Sequence, residues 1–238
     1  MPTDDAGSGE GRPYVLLSAA MSVDGCLDDT SGERLRLSNS EDFDRVEAVR
    51  AEYDAILVGA GTIRRDNPRL LVRSDARRAD RVARGLPEHP VKVTITGSGL
   101  DASAEFFRTG GQKIVYCPAQ ACERVRDELA GVAEVVGAGD PLDLGLVLDD
   151  LGRRGTRRLM VEGGGTVHTQ FLTEGLVDEI HLAVAPFFVG QSAAPRFVGP
   201  GFFPQDAAHR MRVAEVRQIG DVALVRYLVS TREGEPDA

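Results

Sequence analysis

Three consecutive glycines follow an acidic residue where a predicted strand meets a predicted helix. The segment Glu162-Gly163-Gly164-Gly165 comes directly after the apolar run 158–161. Glycines at such a junction let a ligand approach bare backbone, and a helix N-terminus offers free N–H groups with about half a positive charge. A tight turn that needs positive φ angles is the alternative, but three glycines in a row exceed what a turn requires. We therefore predict that this junction binds an anion.

A second glycine-rich junction, Gly59-Ala60-Gly61-Thr62, follows the short apolar run 54–58. A threonine hydroxyl beside backbone amides suits a second phosphate, although a plain turn explains this segment equally well when it is taken alone. In an open α/β sheet, ligands bind beyond the carboxyl ends of the strands. We therefore expect the two junctions to face one crevice.

Two further segments are polar turns whose chemistry the residues alone leave open. Asp66-Asn67-Pro68 is ordinary turn chemistry, and Arg73, which follows it, suits either a phosphate or a surface acid. The segment 21–25 (MSVDG) is typical of a turn that closes the first strand, with its aspartate placed to cap a backbone group.

Composition and missing motifs exclude several classes of protein. The formal net charge of −9 argues against nucleic-acid and acidic-membrane binders, which need a basic surface, and no stretch approaches the roughly 20 apolar residues of a membrane span. Neither a GxGxxG fingerprint nor a Walker lysine is present, and the elbow of serine hydrolases and zinc-protease and zinc-deaminase motifs are absent too. Cys26, Cys117 and Cys122 and four scattered histidines show no zinc spacing, so we predict free thiols and no metal.

Short β-rich runs alternate with helical segments along the chain. This alternation predicts a three-layer α/β/α domain whose mostly parallel sheet, of about eight strands, is covered by four or five helices. A hairpin predicted over 211–229, with its turn at Gly220-Asp221, adds an antiparallel edge. The basic stretch 74–90 is expected to be a surface excursion.

The first predicted helix has an N-terminal signal. Ser38 and Glu41 have the spacing of a capping box, and the helix that follows is predicted to place Phe43, Val46, Val49 and Tyr53 along one face.

One domain is predicted over residues 13–230, between a disordered leader (1–12) and a disordered tail (231–238). The leader MPTDDAGSGEGR is polar and acidic, whereas a secretory signal begins basic and then turns apolar. We therefore expect a cytoplasmic location.

Taken in order, these segments resemble the reductase domain of riboflavin biosynthesis, which has the dihydrofolate-reductase-like fold. The resemblance covers about residues 13–229, and the ordered set is highly specific although no single piece is diagnostic. The matching pieces are residues 20–25 (AMSVDG), 58–62 (VGAGT), 66–68 (DNP), 161–165 (VEGGG), 171–172 (FL), 176–179 (LVDE) and 185–186 (AP).

The resemblance implies NADPH as hydride donor and a phosphorylated pyrimidine as substrate, an aminopyrimidine that carries a ribosylamino 5′-phosphate. In such enzymes the ring-opened ribose is reduced to a ribityl chain, with the hydride delivered to C1′ through an imine. The resemblance further implies a homodimer.

The resemblance also assigns residues by position. Asp66 and Glu162 correspond to the acidic groups at the reacting centre. The residues that correspond to cofactor contacts are Gly61, Thr62, Asp66, Ser98, Gly163, Gly164, Gly165 and Thr166. Those that correspond to substrate contacts are Arg50, Leu70, Arg73 and Glu162, of which the arginines suit the phosphate.

Departures from the family pattern leave the substrate open. The loop 33–37 (ERLRL) replaces a stretch that carries a tryptophan in many bacterial members, and the strand ending at Ser98 lacks the aspartate-serine often found there. Bacterial members are often fused to a zinc deaminase whose motif is absent from this sequence, so we expect either that another protein deaminates the substrate or that the diamino form is used directly. A reductase of a pterin or dihydrofolate-type substrate and a non-catalytic nucleotide-binding protein are the alternatives.

Overall fold

A computed structural model describes residues 11–230. The elements in that range are β1 (Tyr14–Ser22), α1 (Ser40–Glu52), β2 (Ala55–Gly59), α2 (Ala60–Asp66), α3 (Asp75–Ala83), β3 (Val91–Ile95), α4 (Glu105–Arg108), β4 (Lys113–Cys117), a 3₁₀ turn (Ala119–Ala121), α5 (Cys122–Glu128), β5 (Glu134–Gly137), α6 (Leu144–Arg153), β6 (Arg158–Gly163), α7 (Gly165–Thr173), β7 (Glu179–Ala185), β8 (Arg212–Ile219) and β9 (Val222–Leu228).

The predicted tail and residues 1–10 of the predicted leader lie outside the described range. Arg12, which we assigned to the leader, is instead held in place: its Nη1 and Nη2 donate to the two carboxylate oxygens of Asp178 at 3.0 and 3.1 Å. None of the helices described between residues 11 and 230 has the length and apolar character to cross a membrane.

All nine described strands form one sheet in the order β5-β4-β3-β2-β6-β1-β7-β9-β8. The first seven strands in this order pair in parallel with their neighbours. Strands β9 and β8 add an antiparallel hairpin beside β7, at one edge of the sheet. The predicted mostly parallel sheet with an antiparallel C-terminal hairpin is therefore confirmed.

Helices cover both faces of this sheet because its central strands are apolar on both sides. In β2, Ala55 and Leu57 pack in the cluster that includes α6 and α7. Ile56 and Val58 point the other way, as alternation along a strand requires, into the cluster that includes α2, α4 and α5. Three layers result, and the ends of the parallel strands are left open for a site.

The start of α1 differs from the predicted capping box. The cap is Asn39, whose Oδ1 accepts the N–H of Asp42 at 2.9 Å. Its Nδ2 also donates to the carbonyl of Ile219 in the C-terminal hairpin at 2.7 Å. An amide both accepts and donates, so Asn39 can join the helix to the hairpin. The four residues predicted to share one face differ in burial, since Tyr53 is 2% exposed and Phe43 is 43% exposed.

The stretch 74–90 is not an irregular excursion, because it contains α3. Ser74 caps this helix, and Arg81 anchors it from a fully buried position. The guanidinium of Arg81 donates to the carbonyls of Ala51, Tyr53 and Pro87 at 2.8 to 2.9 Å. These bonds satisfy backbone acceptors where α1 ends.

Candidate active site

A cavity of about 1380 Å³ opens at the carboxyl ends of the parallel strands. The end of β1, the loop before α1, one side of α1, and the exits of β2, β3 and β6 line it. Seven lining residues are arginines and six are Asp or Glu, so the wall carries a net charge of +1, whereas the whole chain carries −9. The cavity therefore favours anionic ligands.

The two glycine-rich junctions meet in this cavity. Their strands, β2 and β6, are neighbours, with Val58 in register with Gly163. A Cβ built on Gly164 would lie 3.5 Å from Oγ1 of Thr62. The first junction is not a plain turn, because α2 begins at Ala60 and carries Thr62 within its first turn.

Each of the three positions in the second junction is a glycine for a different physical reason. Gly163 has a φ of 126°, which strains any other residue. A Cβ on Gly165 would come within 2.1 Å of the carbonyl oxygen of Arg196, so close packing of backbone requires that glycine. Gly164 has an ordinary φ of −86° and faces open space beside Thr62, which leaves bare backbone on the cavity wall.

Helix α7 starts at this bare backbone without a side-chain cap. Its N-cap is Gly164, and no side chain accepts a hydrogen bond from the first turn. The first N–H groups of a helix have no partner within it. The lining residues Gly164, Gly165 and Thr166 therefore offer donors and the positive end of the helix dipole to an anion.

The structure pairs Arg50 with Glu162 in the cavity wall. Nε and Nη2 of Arg50 each donate to one carboxylate oxygen of Glu162 at 2.6 Å. Burial lowers the pKa of Arg50, but the charge of Glu162, the hydrogen bonds to it and the charge of Glu47 together outweigh burial, so the pKa is raised. Arg50 thus holds Glu162 in one orientation and keeps only its third nitrogen, Nη1, for other partners.

Asp66, the last residue of α2, lines the same cavity without such a partner. No described residue donates a hydrogen bond to its carboxylate. Burial raises the pKa of Asp66 above its ordinary value; nearby Arg34 opposes that rise and Asp28 adds to it. Asp66 and Glu162 are therefore two carboxylates in unlike environments.

The exit of β3 supplies a further polar pair. Nη2 of Arg64 donates to Oγ of Ser98 at 2.6 Å and to the carbonyl of Gly99 at 3.0 Å. Both Arg64 and Ser98 line the cavity. They form a small cationic end to the wall beyond Thr62.

The two remaining predicted substrate contacts have different positions. Arg73 lines the cavity, and no described residue pairs with its guanidinium, while its backbone N–H donates to Glu47 at 2.9 Å. Leu70 is only 4% exposed and packs in the apolar cluster beneath α2. The structure therefore does not bring the Leu70 side chain to the cavity.

Several lining residues escaped the sequence-based prediction. Arg34 and Arg36 line the cavity, and the guanidinium of Arg36 lies 5.9 Å from the centre of the Phe43 ring. The alternation of arginine and leucine in the loop 33–37 was the available signal. His168 lies behind Gly163 with Nδ1 3.1 Å from the carbonyl of Phe197, and burial lowers its pKa to about 4, so it is neutral near pH 7.

No group of three or more His, Cys, Asp or Glu suited to a metal occurs within residues 11–230. The wall instead combines bare backbone donors, arginines and two unlike carboxylates, a set suited to phosphates and to a polar reacting group between them.

Comparisons with known proteins agree with this arrangement. The family model described as the RibD C-terminal domain matches residues 13–225. The 2,5-diamino-6-ribosylamino-4(3H)-pyrimidinone 5′-phosphate reductase of Archaeoglobus fulgidus is 35% identical over 212 residues, 88% of this chain and 95% of that protein. The protein of the same name from Methanothermobacter thermautotrophicus is 37% identical over 225 residues, 92% of this chain and 99% of that protein.

Solved structures share the fold. A pyrimidine reductase-like protein from Corynebacterium diphtheriae matches with a TM-score of 0.76 at 26% identity, over 92% of this chain and 93% of that one. A deaminase/reductase from Thermotoga maritima matches with a TM-score of 0.72 at 24% identity, over 91% of this chain but only 56% of that one. Because the family model spans nearly the whole described range, and the two archaeal relatives match over almost their full lengths, the chain belongs to the RibD C-terminal domain family.

Proposed function

We propose that this protein uses NADPH to reduce the ribosyl group of a ribosylaminopyrimidine 5′-phosphate to the ribityl form. The observation that carries the proposal is the meeting of two glycine-lined strand exits, with Thr62 beside Gly164, in one cavity that also holds Asp66 and Glu162. The net positive wall supports a pair of phosphorylated ligands. The relatives named as pyrimidinone phosphate reductases support the same reaction.

The cofactor fits the part of the wall that is bare or cationic. Gly163, Gly164, Gly165 and Thr166 at the start of α7 would hold the pyrophosphate, with Gly61 beside them. NADPH differs from NADH by one phosphate on the adenosine ribose, and Arg64 with Ser98 would bind it. Thr62 and Asp66 would border the nicotinamide, which supplies a hydride when bound.

The substrate would occupy the side of the cavity lined by α1. Arg73 has a guanidinium without a described partner and would bind the 5′-phosphate, with Nη1 of Arg50 as a second donor. Glu162, fixed by Arg50, would accept a hydrogen bond from the substrate. Asp66 would hold the substrate hydroxyls while C1′ is reduced and the ring oxygen becomes a hydroxyl. The protein's contribution is then mainly to position the two reacting carbons.

We propose the diamino pyrimidinone as the preferred substrate rather than its deaminated form. The relatives with 35% and 37% identity carry the diamino compound in their names. The RibD proteins of Bacillus amyloliquefaciens and Actinobacillus pleuropneumoniae are 29% identical, and the chain spans only 60% and 57% of their lengths.

The test is NADPH oxidation by the purified protein, measured separately with the diamino substrate, the deaminated ribosylaminouracil phosphate and dihydrofolate. We expect turnover with the diamino substrate and the ribityl product by mass spectrometry. Turnover of dihydrofolate alone would identify a pterin-type reductase. NADPH binding without turnover of any of the three would identify a non-catalytic nucleotide-binding protein.

The predicted homodimer and the cytoplasmic location are also proposals. Val213 and Val216 on the edge strand β8 are 54% and 66% exposed, and Phe188 in the loop after β7 is 73% exposed. A second copy of the chain would cover such an apolar edge.

A further inference from the structure

Two cysteines that the proposed reaction does not use lie against each other at the end of β4. Cys117 is the last residue of β4, and Cys122 is the first residue of α5. Their Sγ atoms are 2.7 Å apart. A disulfide bond is about 2.05 Å long, so an approach of well under one ångström would join the two sulfurs. The sequence alone predicts only free thiols here.

The surroundings hold the pair together and restrict access to it. Cys117 is fully buried and Cys122 is 8% exposed. The Sγ of Cys122 lies 3.4 Å from the carbonyl oxygen of Pro118. A Cβ built on Gly137, in the edge strand β5, would lie 3.2 Å from the same sulfur. The sulfur therefore packs against bare backbone, and only a small reagent can reach it.

We propose that Cys117 and Cys122 are a peroxide-sensitive dithiol that closes to a reversible intrachain disulfide. The thiolate of Cys122 attacks one oxygen of hydrogen peroxide, the O–O bond breaks, and the departing hydroxide takes a proton to become water. The sulfur of Cys117 then attacks the resulting sulfenic acid, and the S–S bond forms as a second water leaves. Two thiols are oxidised, and one peroxide is reduced to two waters.

The order of attack follows from burial. Cys122, at 8% exposed, is the more accessible of the two cysteines and meets the oxidant first. Burial raises the pKa of Cys117 to about 12, and the neighbouring Cys122 thiol adds to the rise. Cys117 therefore keeps its proton until the sulfenic acid has formed beside it. Its proton then passes to the hydroxide that leaves the sulfenic acid, which departs as water while the Cys117 sulfur forms the S–S bond.

Cys26 provides an internal control. It is equally buried but lies in the turn after β1, where its backbone forms a bridge with Arg196. No other cysteine lies near it in sequence, and no described cysteine sulfur is paired with it. It should remain a thiol under conditions that close the pair.

Trypsin digestion allows the Cys117–Cys122 pair to be measured separately from Cys26. Cleavage after Lys113 and Arg124 leaves Cys117 and Cys122 in one peptide, without Cys26. The folded full chain would be treated with one equivalent of hydrogen peroxide, quenched, denatured, alkylated with iodoacetamide and digested. We expect this peptide to lose the mass of two hydrogens and to take up no label. Dithiothreitol should restore two labelled cysteines. The oxidised protein should also melt about 5 °C higher, as a closed loop of this size implies.

Two variants sharpen the outcome. Cys26→Ser should leave the mass loss unchanged, and Cys122→Ser should abolish it and leave Cys117 alkylatable. The wild-type peptide is a readout that does not depend on how well either variant folds. The proposal is overturned if both cysteines of the wild-type peptide remain alkylatable after peroxide treatment, or if they gain oxygen atoms without forming the disulfide.

Discussion

Asp66 and Glu162 show how one cavity gives two carboxylates different properties. The guanidinium of Arg50 holds Glu162 through two short hydrogen bonds, so that carboxylate is fixed in one orientation. Asp66 has no described donor, and burial raises its pKa. Pairs of titratable groups with unlike environments are typical of active sites. The raised pKa of Asp66 should therefore appear in the pH dependence of the reaction.

Activity should depend on the ionised form of Asp66. A carboxylate whose pKa is raised gains its charge only above that raised pKa, so kcat/KM should fall as pH decreases through a range above that of an ordinary aspartate. Asp66→Asn should lower kcat/KM about 10- to 100-fold, the cost of a hydrogen bond to a charged group, and should remove this acid limb. Initial rates across pH test both effects.

Asp44→Asn is the matched control for that variant. Asp44 also lines the cavity, but Arg77 already pairs with it at 2.7 Å. Its replacement should leave the pH profile unchanged. Full turnover by Asp66→Asn with an unchanged profile would remove Asp66 from the mechanism.

Selection between NADPH and NADH should depend on Arg64. Its guanidinium is fixed by Ser98 at the cationic end of the wall, where a ribose phosphate would be paired. Arg64→Gln should raise the Kd for NADPH about 10-fold and leave the Kd for NADH unchanged, as measured by fluorescence titration. Arg69→Gln is the control, because Arg69 pairs with Glu105 outside the cavity. An equal loss for both cofactors would contradict the assignment.

At the scale of the element, two adjacent glycines of the β6–α7 junction should have different roles. We expect Gly165 to be needed for stability and Gly164 for cofactor binding. Gly165→Ala would force a methyl group to within 2.1 Å of the carbonyl of Arg196. We expect it to lower the free energy of unfolding by about 1–3 kcal/mol, as overpacking does. Gly164→Ala has room for the methyl group and should preserve stability, but should weaken NADPH binding at least about 10-fold because the methyl occupies the approach to the backbone. Denaturant unfolding and cofactor titration of both variants test this contrast.

A Gly164→Ala variant that loses stability but binds NADPH normally would contradict the predicted difference between Gly164 and Gly165. Such a result would mean that the glycines serve only the turn, the interpretation that the residues alone left open.

The packing of helix α3 against the end of α1 should depend on the buried guanidinium of Arg81. Arg81→Met keeps most of the side-chain volume but leaves the carbonyls of Tyr53 and Pro87 without their side-chain donor, and leaves that of Ala51 only the longer bond from Arg84 at 3.2 Å. Because unsatisfied buried acceptors are costly, we expect a loss of about 2–4 kcal/mol in the free energy of unfolding. Arg84→Met, at the end of the same helix and 38% exposed at its side chain, should cost less than about 1 kcal/mol. Similar losses in both variants would contradict this role for Arg81.

These elements show what the sequence could and could not predict. Strand ends, glycine junctions and the final hairpin depend on local patterns of residues, and their predicted positions match the structure. Helix α3 and the buried Arg81 did not stand out, because the apolar residues of this segment are only three alanines and Val82. Val82 is 54% exposed while Arg81 is fully buried, the reverse of what hydrophobic periodicity predicts. The burial of Leu70 and the pairing of Arg50 with Glu162 depend on contacts between distant segments, which spacing along the chain does not encode.

At the scale of the whole molecule, the charge distribution separates the cavity from the surface. The chain carries −9, while the cavity wall carries seven arginines against six acids. Residues 11–230 carry 27 Lys and Arg against 31 Asp and Glu, a net charge of −4. Within this described part of the chain, an anionic ligand is therefore less disfavoured at the open strand ends than over the surface as a whole. Such focusing favours binding at the site over non-specific binding elsewhere.

The same surface has an apolar edge that should mediate assembly. Among the strands described in residues 11–230, β8 ends the sheet and pairs on one side only. An eight-residue edge strand with exposed valines is a liability unless it is covered. We expect light scattering to give the mass of two chains, and Val216→Lys, on β8, to reduce it to one. Val82→Lys is the control, because Val82 is similarly exposed, at 54%, but lies on α3. A wild-type protein that elutes as one chain at all concentrations, or a Val216→Lys variant that still pairs, would mean that this edge serves another purpose.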